Sequence, residues 1–140
     1  MSVRRLAPGE EHELLRASDL FDDALEPAAV RAYLGDDRNT VLVAIEEDRI
    51  IGFLRGTELR QWKSERRQMF LYEIAVAPDH RRQGVGGELV RSLLRYCAER
   101  DFEEVFVFTD DPANEAAERL YRSTGGVTET VGDRMYVYRL

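Results

Sequence analysis

Residues 69–98, "MFLYEIAVAPDHRRQGVGGELVRSLLRYCA", change their periodicity half-way along, and that change limits what the chain can become. The first eight, "MFLYEIAV", are dense in β-branched and aromatic residues and stop just short of Pro78, the pattern of a strand. Beyond Gly87, apolar Leu89, Val90, Leu93, Leu94 and Cys97 share one helical face while Arg91, Arg95 and Glu99 fall away from it. The two periods meet across a turn that sets two arginines against three glycines. A strand must therefore hand over to an amphipathic helix at that turn. Cys97, on the apolar face, reads as a small buried residue rather than a nucleophile.

The rest of the chain adds strands and helices around this unit. "SVRRL" reads as a short first strand, residues 10–20 as a helix with Leu14, Leu15 and Ala17 in phase, and Pro27 to Leu34 as a second helix stopped by Gly35. "TVLVAI" and "IIGFLRG", joined by the acidic turn "EEDR", form a hairpin, and residues 59–68 are polar enough to be a loop or ragged strand ends. "EEVFVFT" is a further strand, "ANEAAERLYRSTGG" a helix closed by glycine, and "RMYVYRL" a last strand. Strands on both sides of helices, with an antiparallel opening, give an α+β fold with a mixed, mostly antiparallel sheet flanked by helices on both faces. No repeat or linker interrupts the 140 residues, so 1–140 reads as one domain.

Composition narrows the function classes. The net charge of −7 argues against non-specific nucleic-acid binding and suits a cationic partner, although surplus acid also serves solubility alone. No apolar run is long enough to cross a bilayer, and the start "MSVRRLAPGEEHELL" carries charges where a signal peptide needs its apolar segment, so a cytoplasmic protein is expected. One cysteine and two histidines, His12 and His80, without ligand spacing, make a metal site improbable. His80, beside Pro78, reads as a turn residue rather than a base.

The turn itself has phosphate-binding character. A strand-to-helix turn directs backbone N–H groups and the positive end of the helix dipole at one point. Gly84, Gly86 and Gly87 let a phosphate approach closely, and Arg81 or Arg82 adds charge-assisted hydrogen bonds. A P-loop is excluded because Glu88 and Leu89 stand where lysine and Ser/Thr belong, and Gly84-Val85-Gly86-Gly87 is too compressed for a dinucleotide fingerprint. On glycine spacing alone a structural turn and a ligand site stand level.

The order "LYEIAV", Arg81-x-x-Gly84-x-Gly86, helix, "VFVFT", helix with "NEAAERLY" resembles the acyl-coenzyme A core of the GCN5-related N-acetyltransferase superfamily over residues 40–126. Within it the chain is most similar to gentamicin-type aminoglycoside 3-N-acetyltransferases, on "DLF", "YEIAVAPDHRRQGVG" and "DDPANEAAERLYRSTGG". Asn114 departs from the acidic residue of some members. The resemblance implies acetyl-coenzyme A as co-substrate, no metal, direct transfer without an acetyl-enzyme, and often a homodimer. It implies a pyrophosphate cradle from Gln83, Gly84, Val85, Gly86 and Gly87, with Arg81 and Arg82 as charge partners. Backbone groups of Ile74, Ala75 and Val76 would pair with the pantetheine arm as an added strand and polarise the carbonyl, and Asn114, with Ala117 in the same helical pattern, would contact that arm.

Acetylation of an amine needs a neutral nitrogen, a polarised thioester and a proton route. Alternation in "LYEIAV" puts Tyr72, Ile74 and Val76 on one face and Glu73 and Ala75 on the other. Glu73, the one carboxylate in this apolar strand, is the candidate base, directly or through water; the competing reading is a strand-end carboxylate satisfied by an arginine. In the resemblance Tyr121 protonates the departing thiolate. A polyamine acceptor would be held by acids: Asp110 and Asp111 first, then Asp22 and Asp23, with Asp19 and Glu26 nearby, each also readable as a cap or a solvated charge. Trp62 and the "KSERRQ" loop read as a solvated hairpin, otherwise as an acceptor rim or dimer edge. Other acceptors (a protein N-terminus, a lysine, a small metabolic amine) stay open, as does a coenzyme A-binding module without catalysis.

Overall fold

A computed structural model describes residues 1–109, 114–128 and 136–139. The chain falls into two compact units, Met1–Phe108 and Thr109–Leu140.

In the first unit the chain runs β1 (Ser2–Arg5), α1 (Glu11–Leu15), α2 (Pro27–Gly35), β2 (Asn39–Glu46), β3 (Arg49–Arg60), β4 (Arg67–Val76), α3 (Val85–Ala98) and β5 (Phe102–Phe106). The strands form one sheet in chain order, antiparallel from β1 to β4 and parallel between β4 and β5. The expected mixed, mostly antiparallel sheet is present.

Strand alternation divides the core into two layers. Val41, Val43 and Phe53 point to the layer that Leu14 and Ala17 of the first helical segment and Leu34 of α2 close. The opposite face takes α3, whose Leu89 and Leu93 are fully buried, with Val90 and Cys97 beside them. Gly52 lies under that helix: a Cβ there would sit 3.2 Å from Val85 Cγ1 and 3.3 Å from Leu89 Cδ1, so the missing side chain lets helix and strand approach. Helices thus flank the sheet on both faces, and Cys97 is the buried small residue its spacing suggests.

Two expectations change and one holds. Residues 10–20 do not form one helix: α1 ends at Leu15 and Ser18–Leu20 continue as a 3₁₀ turn, tightened by Leu20 N–H bonding to Ala17 O at 3.0 Å. Ser18 and Asp19 are residues that favour such turns over helix interiors. The polar stretch 59–68 is the expected loop with strand ends: β3 and β4 pair out to Arg60 opposite Arg67, and six residues connect them. Of "RMYVYRL", residues 136–139 carry no strand, and Tyr136 and Tyr138 are exposed.

The turn between β2 and β3 holds Glu47 and Asp48 at φ +48° and +61°, the left-handed pair of a two-residue hairpin. In the second unit, α4 (Glu115–Ser123) is capped by Asn114, whose Oδ1 accepts from Ala116 N–H at 2.8 Å and Ala117 N–H at 3.3 Å. Gly125 at φ +95° ends it in the left-handed conformation expected of a closing glycine.

Candidate active site

Two features of β4 make a site. Its pairing with β5 covers only Arg67 to Phe70, whereas its pairing with β3 continues to Val76. From Leu71 onward the β4 edge is therefore free of β5, and the two strands part. Ile74, Ala75 and Val76, the predicted partners of the pantetheine arm, lie on this free edge. An extended ligand can add there as a strand.

The second feature is a bulge. Arg55 pairs with Glu73 and Gly56 with Leu71, so Tyr72 is an extra residue without an opposite number. The bulge reverses the alternation: Leu71 and Ile74 occupy one face, and Tyr72 joins Glu73 on the other. Tyr72's position is fixed by the Arg55 guanidinium, 4.2 Å from its ring centroid, and by edge contact with Phe70 at 5.5 Å. The expected grouping of Tyr72 with Ile74 and Val76 is thus wrong, and without the bulge Glu73 would face the α3 core.

Glu73 Oε2 accepts a hydrogen bond from Arg55 Nε at 2.7 Å. Arg55 in turn stacks between Tyr72 and Tyr33, the latter ring 5.3 Å away. Burial works against the Arg55 charge, but hydrogen bonds to Glu73 and Tyr33 outweigh it and raise its pKa. The arginine partner weighed for Glu73 is real, yet Glu73 stays partly open, with 43% of its side chain exposed. A paired, oriented carboxylate that still meets solvent can pass a proton. Arg55 and Tyr33 are the residues sequence reasoning missed; a lone arginine in "IIGFLRG" was the available signal. Phe70 stacks on Phe106 at 5.0 Å, and Phe108 closes edge-on against both, giving this face an aromatic wall.

Past Val76 the chain makes a 3₁₀ turn at Pro78–His80 and then the glycine-rich loop. Arg82 at φ +60° and Gly84 at φ +82° put two left-handed residues just ahead of α3. Arg81 Nε donates to Val76 O at 3.3 Å and Gln83 Nε2 to Asp79 O at 3.2 Å, which folds the loop back on β4. Gly84, the N-cap, has no side chain to satisfy the first helical N–H groups, and Val85, Gly86 and Gly87 form the opening turn. A Cβ on Gly87 would lie 3.2 Å from the Arg91 guanidinium, so a cation also flanks this turn. Open N–H donors, dipole and arginines fit a pyrophosphate.

The acids divide by role. Asp19 pairs with Arg49 at 3.0 Å, and Glu26 caps α2 by accepting from Ala29 N–H at 2.7 Å. Asp22 and Asp23 are exposed between the 3₁₀ turn and α2. Asp110 and Asp111 lie outside the described residues. In the second unit burial pushes the Tyr121 phenol above its usual value, so it is protonated at neutral pH and able to give a proton. Asn114 spends its Oδ1 on the helix cap, so a bond to a pantetheine arm would come from its Nδ2. Trp62 is exposed, on a loop that forms a cleft of about 640 Å³ away from Glu73's strand position.

The model of the acetyltransferase (GNAT) family matches residues 8–125. The chain belongs to that family. Among its relatives, this GNAT chain is 28% identical over 108 residues to N-acetyltransferase family 8 member 3 of Rattus norvegicus, covering 77% of the chain and 46% of that protein. With human N-acetyltransferase 8 it shares 26% identity over 95 residues, 68% of the chain and 41% of the relative. The GNAT chain thus spans about half the length of these mammalian relatives. A crystal structure of an aminoglycoside acetyltransferase from an uncultured soil metagenomic sample, in complex with sisomicin, matches with a TM-score of 0.86 and 26% identity over 99% of this chain and 96% of that one. An aminoglycoside N-acetyltransferase in complex with CoA matches in fold, with a TM-score of 0.75 at 21% identity over 99% of this chain and 100% of that one. Among the described residues no cluster of three potential metal ligands occurs and no helix is long and apolar enough to cross a membrane.

Proposed function

We propose that this GNAT chain transfers an acetyl group from acetyl-coenzyme A directly to a primary amine of an aminoglycoside, at the 3-amino group. The observation that carries the acetyl transfer is the free β4 edge, which bears Glu73 on its bulge and runs into the Gln83–Gly87 loop. The likeness to a sisomicin-bound aminoglycoside acetyltransferase supports the acceptor class.

In this reading the loop and Arg81 and Arg82 hold the pyrophosphate, while backbone groups of Ile74, Ala75 and Val76 align the pantetheine arm. The acceptor nitrogen attacks the thioester carbon while Glu73, directly or through water, takes its proton. A backbone N–H of β4 meets the developing oxyanion. The C–S bond then breaks and Tyr121 protonates the leaving thiolate, regaining its proton from solvent. Asn114 and Ala117 flank the arm, and Asp22, Asp23, Asp110 and Asp111 bind the remaining ammonium groups.

A second acceptor class is an amine of another kind, on a protein N-terminus, a lysine or a small metabolite, since the mammalian relatives are N-acetyltransferases whose names carry no aminoglycoside. A panel of amines with thiol release as readout separates the two. Gentamicin and kanamycin should give product, with mass spectrometry placing the acetyl on the 3-amino group. Silence on every aminoglycoside with turnover of another amine would leave only the transferase reading, and coenzyme A binding without turnover of any amine would make the chain a binding module. Tyr121→Phe should cut turnover strongly with coenzyme A affinity nearly intact; equal loss of both would remove it from the acid role.

A further inference from the structure

His80 stands directly before the loop, and both of its ring nitrogens face carboxylates. Nδ1 lies 2.9 Å from Asp79 Oδ1 and Nε2 lies 3.0 Å from Glu46 Oε2, with only 16% of the side chain exposed. A neutral imidazole has one N–H donor and one bare acceptor, so it satisfies one of these oxygens and opposes the other. Only the imidazolium donates to both. The other charged groups at this junction are Arg49 of β3, bonded to Asp79 at 3.3 Å and to Asp19 at 3.0 Å, and the neighbouring turn acids Glu47 and Asp48.

The network joins three pieces of chain. Glu46 and Arg49 are paired at the β2–β3 turn, Asp19 belongs to the 3₁₀ turn after α1, and Asp79 and His80 form the turn that leads into Arg81. Asp79 reaches into the loop as well, since its carbonyl accepts from Gln83 Nε2. We propose that His80 is a positioning residue: as an imidazolium it clamps the Pro78–His80 turn to the β2–β3 hairpin and so sets the register of the coenzyme A loop, and its deprotonation loosens that loop. The inference rests on the reading of Gln83–Gly87 as the coenzyme A cradle.

Hydrogen bonding to Asp79, with Glu46 adding to it, raises the His80 pKa above 6.5 against the effect of burial. The clamp is closed below that raised value and opens as pH climbs through it, so cofactor affinity falls toward alkaline pH.

The test is the dissociation constant of coenzyme A for the full chain, by titration calorimetry from about pH 6 to about pH 9, alongside the KM for acetyl-coenzyme A and kcat. Binding by the unaltered chain should weaken about two- to fivefold across the His80 transition, the size of one solvent-accessible ionic contact, with kcat following the acceptor's own titration. Glu46→Gln, which removes one carboxylate, should move the transition to lower pH, and His80→Gln should abolish it. Superimposable profiles for the unaltered chain and Glu46→Gln overturn the proposal, even if His80→Gln fails to fold. Gly84→Val, which strains the φ of +82°, separates the two ideas. Unchanged coenzyme A binding in Gly84→Val sinks the cradle; weakened binding there with no shift in Glu46→Gln sinks the clamp alone.

Discussion

Gly52→Ala probes the contact between α3 and the strand edge that bears the site. Adding a methyl group to a strand glycine ordinarily stabilises, by about 0.5–1 kcal/mol, because it restricts the unfolded chain. Here the new Cβ would meet Ala75 O at 3.0 Å, Val85 Cγ1 at 3.2 Å and Leu89 Cδ1 at 3.3 Å. The first of these is backbone, held in the β3–β4 ladder by the pairing of Phe53 with Ala75, so it cannot swing aside. Overpacking of this kind costs about 1–3 kcal/mol, which exceeds the entropic gain over nearly all of that range and leaves a net loss of about 0–2.5 kcal/mol, centred on about 1.2 kcal/mol. An unfolding entropy of roughly 2.1 cal/mol/K per residue gives about 0.29 kcal/mol/K for a chain of 140 residues. Gly52→Ala should therefore lower Tm by about 4 °C, and by no more than about 9 °C, in differential scanning calorimetry. Gly35→Ala is the control: the same methyl group meets nothing within 4 Å and should leave Tm unchanged or raise it slightly. A Gly52→Ala protein as stable as Gly35→Ala would refute the close-packing argument. Because Ala75 lies on the free β4 edge, the same variant should also weaken coenzyme A binding.

Leu93 of α3 is fully buried against the sheet, so Leu93→Ala should cost about 2–5 kcal/mol in urea unfolding with little change in m-value; a loss under about 1 kcal/mol would mean the site can collapse. Burial pushes the Cys97 thiol up to about 11, so a thiol reagent near neutral pH should leave the native chain unmodified and react once denaturant exposes it. Rapid native labelling would contradict the packing of α3. Hydrogen bonds from Arg38 hold the Asp36 carboxyl at about 2, below the ordinary 3.8. Its contribution is complete above 3.8 and disappears as pH falls through about 2, so carbon-detected NMR should find the Asp36 carboxyl titrating at about 2 rather than at 3.8.

Much of the site was legible because its signals are local. The switch from strand to helical period around Pro78 and Gly84 located the loop, and positive φ at Gly84 is a property the residue type advertises. The hairpin turn within "EEDR" and the apolar α3 face of Leu89, Leu93 and Cys97 follow from spacing alone, although the structure narrows the turn to Glu47 and Asp48. The 3₁₀ turn at Ser18–Leu20 was harder, since the same apolar spacing suits a continuous helix and the local choice goes to Ser18 and Asp19. That an arginine could partner Glu73 was legible, but which arginine was not. Arg55 lies eighteen residues earlier and meets it only through the register of a long hairpin.

The sequence by itself determined the elements: where strands yield to helices, which helix face is apolar, and that a glycine-rich turn with arginines precedes α3. Those properties reside in residues close along the chain, where sterics and hydrophobic period act directly. Tertiary structure decided which way the chemistry faces. One unpaired residue, Tyr72, reverses the alternation of β4 and carries Glu73 out of the α3 layer to Arg55, and the parting of β4 from β5 after Phe70 leaves a strand edge open. Bulges and partings of this kind arise from pairing between strands, and a pairing register exists only once the partner is in place.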